Sequence, residues 1–194
     1  MKYDFMFFMN SILMGVGLAM DAFSVSLANG LNEPGMSMKK ENIIAGTFGF
    51  FQALMPMLGW LCVHTVVEVF SSFEKFIPWI ALVLLLYIGG KMLIEGIRNK
   101  NGETDAAAVG FKALMIQAVA TSIDALSVGF TISDYDWLMA LVESVIICIV
   151  TYAISLAGLK IGKTAGTKLS GKAGILGGII LIGIGIEIWL KGIL

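Results

Sequence analysis

Histidine occurs once in this chain of 194 residues, at His64, and cysteine twice, at Cys62 and Cys148. So few soft ligands exclude a disulfide framework and a zinc centre of Cys and His side chains. Both cysteines lie inside apolar stretches and read as small buried hydrophobes. Charge is scarce as well: Asp, Glu, Lys and Arg make up 14% of the residues, against about 25% in a soluble domain. With a formal net charge of −1 and no long basic run, nucleic-acid binding is excluded as the main activity. No glycine-rich nucleotide loop and no matched nucleophile and base are visible, so an enzyme is not expected and no cofactor is called for. The lone histidine reads as a residue near a helix end.

What fills the space is oil. Hydrophobic residues amount to 58% and the mean hydropathy is +0.90, more than a water-soluble fold can bury. Six apolar stretches, about 5–29, 42–66, 77–97, 111–131, 137–159 and 173–193, are each long enough to cross a hydrocarbon core of roughly 30 Å. The expected fold is therefore an all-α integral membrane protein of six transmembrane helices, forming a single domain over residues 1–194. Between the stretches stand Asn32 to Glu41, Ser71 to Lys75, Arg98 to Asp105, Ser133 to Asp136 and Lys160 to Lys172. Pro78 suits a first helical turn, and Pro56 should kink the second helix. A cleaved leader is rejected, because Asp21 interrupts the first apolar run and its local pattern recurs a hundred residues on.

Lysine and arginine are distributed unevenly. Lys2, Lys75 and Lys191 fall on the side of the termini, whereas Lys39, Lys40, Arg98, Lys100, Lys112, Lys160, Lys163, Lys168 and Lys172 fall on the other, with Lys91 inside a span. The positive-inside tendency then makes the odd loops cytoplasmic and puts both termini outside.

The chain also repeats itself. Met20-Asp21-Ala22-Phe23-Ser24-Val25 reads against Ile123-Asp124-Ala125-Leu126-Ser127-Val128. Leu85-Leu86-Tyr87-Ile88-Gly89 likewise reads against Leu181-Ile182-Gly183-Ile184-Gly185, and Gly96-Ile97 against Gly192-Ile193. Repeat one covers about 5–97 and repeat two about 111–193; three helices in each make the second repeat enter the membrane from the opposite side. Such inverted repeats place a substrate site near the midplane where the halves meet.

Asp21 and Asp124 are the deepest acids and hold the same place in the repeat. Each costs at least about 2.5–3.5 kcal/mol if ionised in lipid, so a packing role alone is a poor reason for keeping two of them. Gln117, Thr121, Asp124 and Ser127 follow spacings of one polar stripe, matched more weakly by Gly17, Asp21, Ser24 and Ala28. Gln52 stands one turn before Pro56, whose missing N–H frees a carbonyl. Asn29, Met20 and Met55 complete the set of candidate ligands, the methionines reading first as flexible packing. Oxygen ligands of this kind suit Mg, Ca or Mn better than Zn or Cu. On 1.5 Å per residue Asp21 lies about 6 Å to the cytoplasmic side of its span's centre and Asp124 about 4.5 Å to the outer side. One shared site and two sites in succession both fit. Lys91 and Glu187, and Glu68, Glu95 and Glu143, lie near span ends and are expected to reach the interfaces. Gly174-x-x-x-Gly178 reads as a helix-packing face.

On these residues the sequence resembles the manganese efflux pump family MntP, within the wider LysE-like exporters. The likeness rests on Met20 to Phe23, Phe48 to Trp60, Gly89 to Gly96, Ala120 to Ala125, and Gly177-Gly178 through Gly185. It implies a bacterial plasma-membrane protein of six helices that lowers cytoplasmic Mn²⁺, with both helix-borne aspartates essential and the lipid bilayer as its setting. Some members carry Glu where Gln52 stands, so a third acidic ligand is missing here. Expelling a divalent cation against an inside-negative potential costs about 4.6 kcal/mol per 100 mV, and two aspartates exchanging one M²⁺ for two H⁺ would offset it. The metal-binding set expected is Asp21, Asp124, Gln52, Thr121, Ser24, Ser127 and Asn29. An exporter of a small organic cation or basic amino acid would use the same acids, and oligomeric state stays open.

Overall fold

Apolar runs of this length close their backbone hydrogen bonds internally, and every long run does so as a helix. The computed structural model describes residues 4–65, 77–98, 109–169 and 173–193. Among them stand seven helical segments: α1 Phe5–Asn32, α2 Met38–Thr65, α3 Ile77–Arg98, α4 Phe111–Thr121, α5 Ile123–Thr131, α6 Trp137–Leu169 and α7 Ala173–Ile193. The described residues contain no strand. Phe5–Asn32, Met38–His64, Phe111–Thr131 and Trp137–Thr167 are long and apolar enough to cross a membrane, and Ile175–Leu190 is a shorter apolar helix. Lys2, Glu68, Ser71 to Lys75, Lys100 and residues 170–172 lie outside the described residues.

Local chemistry sets the helix ends. Asp4 caps α1 by accepting from the Phe7 N–H at 2.9 Å. The helix stops where Pro34 disfavours a helical Glu33, whose N–H turns back to the Asn29 carbonyl. Pro56 lies inside α2.

Two boundaries differ from the sequence reading. The fourth apolar stretch is broken at Ser122, where the Ser122 N–H bonds Val119 at 3.2 Å and its hydroxyl bonds the Ala118 carbonyl at 2.7 Å. Thr121 returns its own hydroxyl to Gln117, and two adjacent hydroxyls competing for helix carbonyls bend the chain. The lysines from Lys160 onward do not open a loop at once, because α6 continues to Leu169. At 33 residues it is about 50 Å long, well beyond a hydrocarbon core. Its continuation is packed: Gly162 lies against Leu27 and Leu31, and Gly166 against Leu31 and Pro34. A methyl group on Gly162 would come within 2.3 Å of the Leu27 carbonyl, so only glycine permits this approach.

The same close contacts give the helix directions. Gly15 meets Ile147 and Val150, and Gly158 meets Phe23 and Ser26, so α1 and α6 run parallel. In α3 and α7, Gly89 meets Gly178 and Ile182 while Gly185 meets Leu82 and Leu85, so these two run antiparallel. Gly178 thus sits in a packing face, as its spacing suggested. Helix α2 crosses α6 where Gly49 lies against Cys148 and Tyr152, and packs on α5 through Gly59 and Gly129. The main apolar core joins Ala22, Val25 and Ala28 of α1 to Phe48 of α2, Leu85 of α3, Ala118 of α4, Leu159 of α6 and Leu181 of α7.

Candidate cation site between the central helices

Asn29 near the end of α1 and Gln117 in α4 are buried and exchange two hydrogen bonds. Asn29 Nδ2 donates to Gln117 Oε1 at 2.8 Å and Gln117 Nε2 donates back to Asn29 Oδ1 at 3.2 Å. Further along, Leu18 of α1 shares an apolar cluster with Ala125 of α5. The two helices are therefore antiparallel. Counting eight residues back along α1 from Asn29 and eight forward from Gln117 brings Asp21 opposite Ala125, the neighbour of Asp124. The register thus brings the two aspartate-bearing turns to one level of the bundle, where centring each apolar stretch separately had put them about 10 Å apart.

The two acids differ in setting. Asp21 is half-buried, whereas Asp124 is exposed in the first turn of α5, its Oδ1 accepting from the Ala125 N–H at 2.9 Å. The break at Ser122 divides the expected polar stripe. Gln117 and Thr121 are buried before it, and Asp124 and Ser127 face outward after it.

Gln52 is fully buried, its Nε2 donating to the Leu18 carbonyl at 3.2 Å. Its Oε1 has no hydrogen-bond partner among the described residues. Pro56 also deprives the Gln52 backbone carbonyl of its usual helical donor. One residue therefore presents two oxygens suited to a hard cation, beside the α1 turn that precedes Asp21. Other predicted ligands are already engaged. Ser24 gives its hydroxyl proton to Met20 and Thr121 gives its own to Gln117, while Asn29 is committed to its amide pair.

Sequence reasoning missed a second group of oxygens. Glu143, expected to reach the interface, is 2% exposed, and its Oε2 lacks a hydrogen-bond partner among the described residues. It stands about two turns inside α6 and level with Ser11 of α1. Ser144, Thr151 and Ser155 are buried and equally unpartnered. Their spacing of seven and four was the available signal, a face of one helix that hydropathy alone does not reveal.

Charged groups gather at one end. Lys163 of α6 pairs with the buried Glu41 and donates to the Met36 carbonyl at 2.6 Å, and Lys40 pairs with Glu33 at 2.6 Å. Aromatic rings gather at the other. Trp60 stacks on His64, meets Trp137 edge-on and donates to the Tyr135 carbonyl at 2.9 Å, and Trp79 meets Trp189. Burial, together with the nearby Glu143 and Asp4 carboxyls, raises the Tyr135 phenol above its ordinary pKa. No group of three or more His, Cys, Asp or Glu gathers among the described residues.

A family model described as "Putative manganese efflux pump" matches residues 35–189. A Sorangium cellulosum protein named "Putative manganese efflux pump MntP" is 40% identical over 185 residues, covering 93% of this chain and 94% of that one. Proteins with the same name from Ruminiclostridium cellulolyticum and Methanobrevibacter smithii are 39% and 41% identical, over 93% and 92% of this chain and 94% and 95% of theirs. No solved structure matches the chain.

Proposed function

The chain belongs to the manganese efflux pump family, and from that premise we propose that it exports Mn²⁺ from the cytoplasm by exchange for protons. It is a multi-pass membrane transporter, not an enzyme, and its substrate is a metal ion. The observation that carries the mechanism is the register that sets Asp21 opposite Ala125, beside Asp124. Two carboxylates at one level, with Gln52 Oε1 nearby, offer hard oxygens to a divalent cation. When the ion leaves outward the same carboxylates take up protons, and exchange of one Mn²⁺ for two H⁺ moves no net charge. The potential then opposes neither step, removing a cost of about 4.6 kcal/mol per 100 mV.

Six crossings arranged as inverted repeats are supported by the packing. Exchanging α1 with α4–α5, α2 with α6, and α3 with α7 turns the α1–α6 contact into the α5–α2 contact and leaves the α3–α7 and α2–α6 contacts in place. Helix directions agree, since α1 parallel to α6 and α3 antiparallel to α7 are what six successive crossings require. An inner plasma-membrane setting with both termini outside is supported by Lys39, Lys40, Lys112, Lys160 and Lys163 at one end of the bundle.

Mn²⁺ flux into acid-loaded proteoliposomes tests the reading. Wild-type protein should couple Mn²⁺ movement to proton movement, and Asp21→Asn or Asp124→Asn should stop both. Manganese tolerance of an efflux-deficient strain should follow the same order, and the reading fails if the doubly neutralised protein still protects the cells.

A further inference from the structure

Hydroxyls on buried helices ordinarily return to a carbonyl one turn back, as those of Ser24, Thr47, Thr121 and Thr164 do here. On α6 a row of oxygens does not. Of the seven buried side-chain nitrogen and oxygen atoms without a hydrogen-bond partner among the described residues, four belong to this helix: Glu143 Oε2, Ser144 Oγ, Thr151 Oγ1 and Ser155 Oγ. Residues 144, 151 and 155 lie within about 40° of one another on one helical face, with Glu143 on the adjoining flank, about 80° from Thr151.

The register between α1 and α6 locates the row. Gly15 lies against Ile147 and Val150, and Gly158 against Phe23 and Ser26, so Ser155 is level with Asp21 and Ser144 with Ser11. The row therefore begins beside the aspartate pair and runs twelve residues, about 18 Å, to the end of the bundle that holds Tyr135 and Trp137. The repeat gives Thr151 a counterpart. Gly59 packs on the Leu126 carbonyl as Gly158 packs on the Phe23 carbonyl, and Phe23 and Leu126 each follow their aspartate by two residues. Gly59 and Gly158 are thus equivalent, and seven residues earlier so are Gln52 and Thr151. Between Thr151 and Ser144 the row is interrupted by Ile147, packed in an apolar cluster with Leu18 and Ala125.

We propose that the buried face of α6 is the exit route of the cation, with Ser155 and Thr151 as ligands along it and Glu143 as the last carboxylate before release. Ile147 and Leu18 form the apolar closure across that route. This rests on the export reading and adds to it a direction of travel and ligands on a helix outside the aspartate pair. A hard divalent cation accepts hydroxyl, amide and carboxylate oxygens in turn, and oxygens with no protein partner can turn to it without breaking a bond.

Full-length protein in proteoliposomes, with Mn²⁺ flux as one readout and calorimetric Mn²⁺ binding in detergent as the other, tests the route. Glu143→Gln and Thr151→Val should each lower flux at least tenfold, and Thr151→Ser should keep more than half of it. Glu143→Gln should leave Mn²⁺ affinity within twofold, because capture occurs at the far end of the row. Removing a buried carboxyl whose Oε2 has no hydrogen-bond partner among the described residues relieves the fold, so Glu143→Leu should melt above wild type while carrying no Mn²⁺. Melting below wild type would make the carboxyl a structural group and overturn the assignment. Flux within twofold of wild type in both Glu143→Gln and Thr151→Val, with Asp21→Asn inactive, overturns the route but leaves the export reading intact. Absence of Mn²⁺ flux in the wild-type protein overturns the export reading itself, and flux that survives Asp21→Asn overturns the aspartate pair as its site.

Discussion

Asn29 and Gln117, 88 residues apart in the chain, face each other amide to amide and close a reciprocal pair between α1 and α4. Asn29→Leu strands the Gln117 amide and should cost about 1 kcal/mol, in the range of single interhelical hydrogen bonds in membranes. Changing both residues to Leu should recover part of that loss, because two apolar partners leave nothing unsatisfied. Unfolding in mixed micelles measures both variants, and the coupling between them is the quantity to compare.

Gly162→Leu should separate α1 from α6. The first added carbon already meets the Leu27 carbonyl at 2.3 Å and the Leu31 nitrogen at 2.9 Å, so the helices must shift or repack, at about 1–3 kcal/mol or more. Gly17→Ala serves as the control, since an added Cβ there has nothing within 4 Å. A melting curve in detergent should shift for the first and stay in place for the second.

Lys163→Met leaves the Glu41 carboxylate buried without its cation. Full burial of such a charge costs about 3–5 kcal/mol, but the Lys163 side chain is 24% exposed and water relieves part of that. A loss of about 1–2 kcal/mol is expected on that principle, with Glu41→Leu in the same chain restoring most of it. If Lys163→Met melts like wild type, the pair contributes nothing to holding the α1–α2 connection against α6.

Gln52→Glu adds a carboxylate beside the turn that precedes Asp21. It should tighten Mn²⁺ binding about tenfold, or roughly 1.4 kcal/mol, and slow turnover because release becomes harder. Calorimetry and flux on the same preparation should move in opposite directions; parallel losses would show that the amide serves only to bond Leu18.

Much of this was legible in the sequence. Apolar length alone locates α1, α2 and α6, and it marks 111–131 as long enough to span. Hydropathy fails where geometry decides. Lys160 and Lys163 look like the start of a loop, yet Gly158, Gly162 and Gly166 recur every fourth residue and offer α1 a smooth face on which the helix continues. The break at Ser122 is invisible to hydropathy because Thr121 and Ser122 act through local hydroxyl bonds. Glu143 resembles any acid near a span end, and only its burial in the folded bundle shows it enclosed. The level of the two aspartates likewise needed the Asn29–Gln117 contact, since centring each helix separately ignores how the rods slide past one another.

The joint at Ser122 sets the two aspartates on unlike supports. The first aspartate rides on a single unbroken rod seamed to α6 along most of its length, whereas the second rides on a short segment that begins one residue after the interruption. Asp21 is thus carried by a continuous, closely packed helix of 28 residues, and Asp124 by a segment of nine residues that starts at the joint.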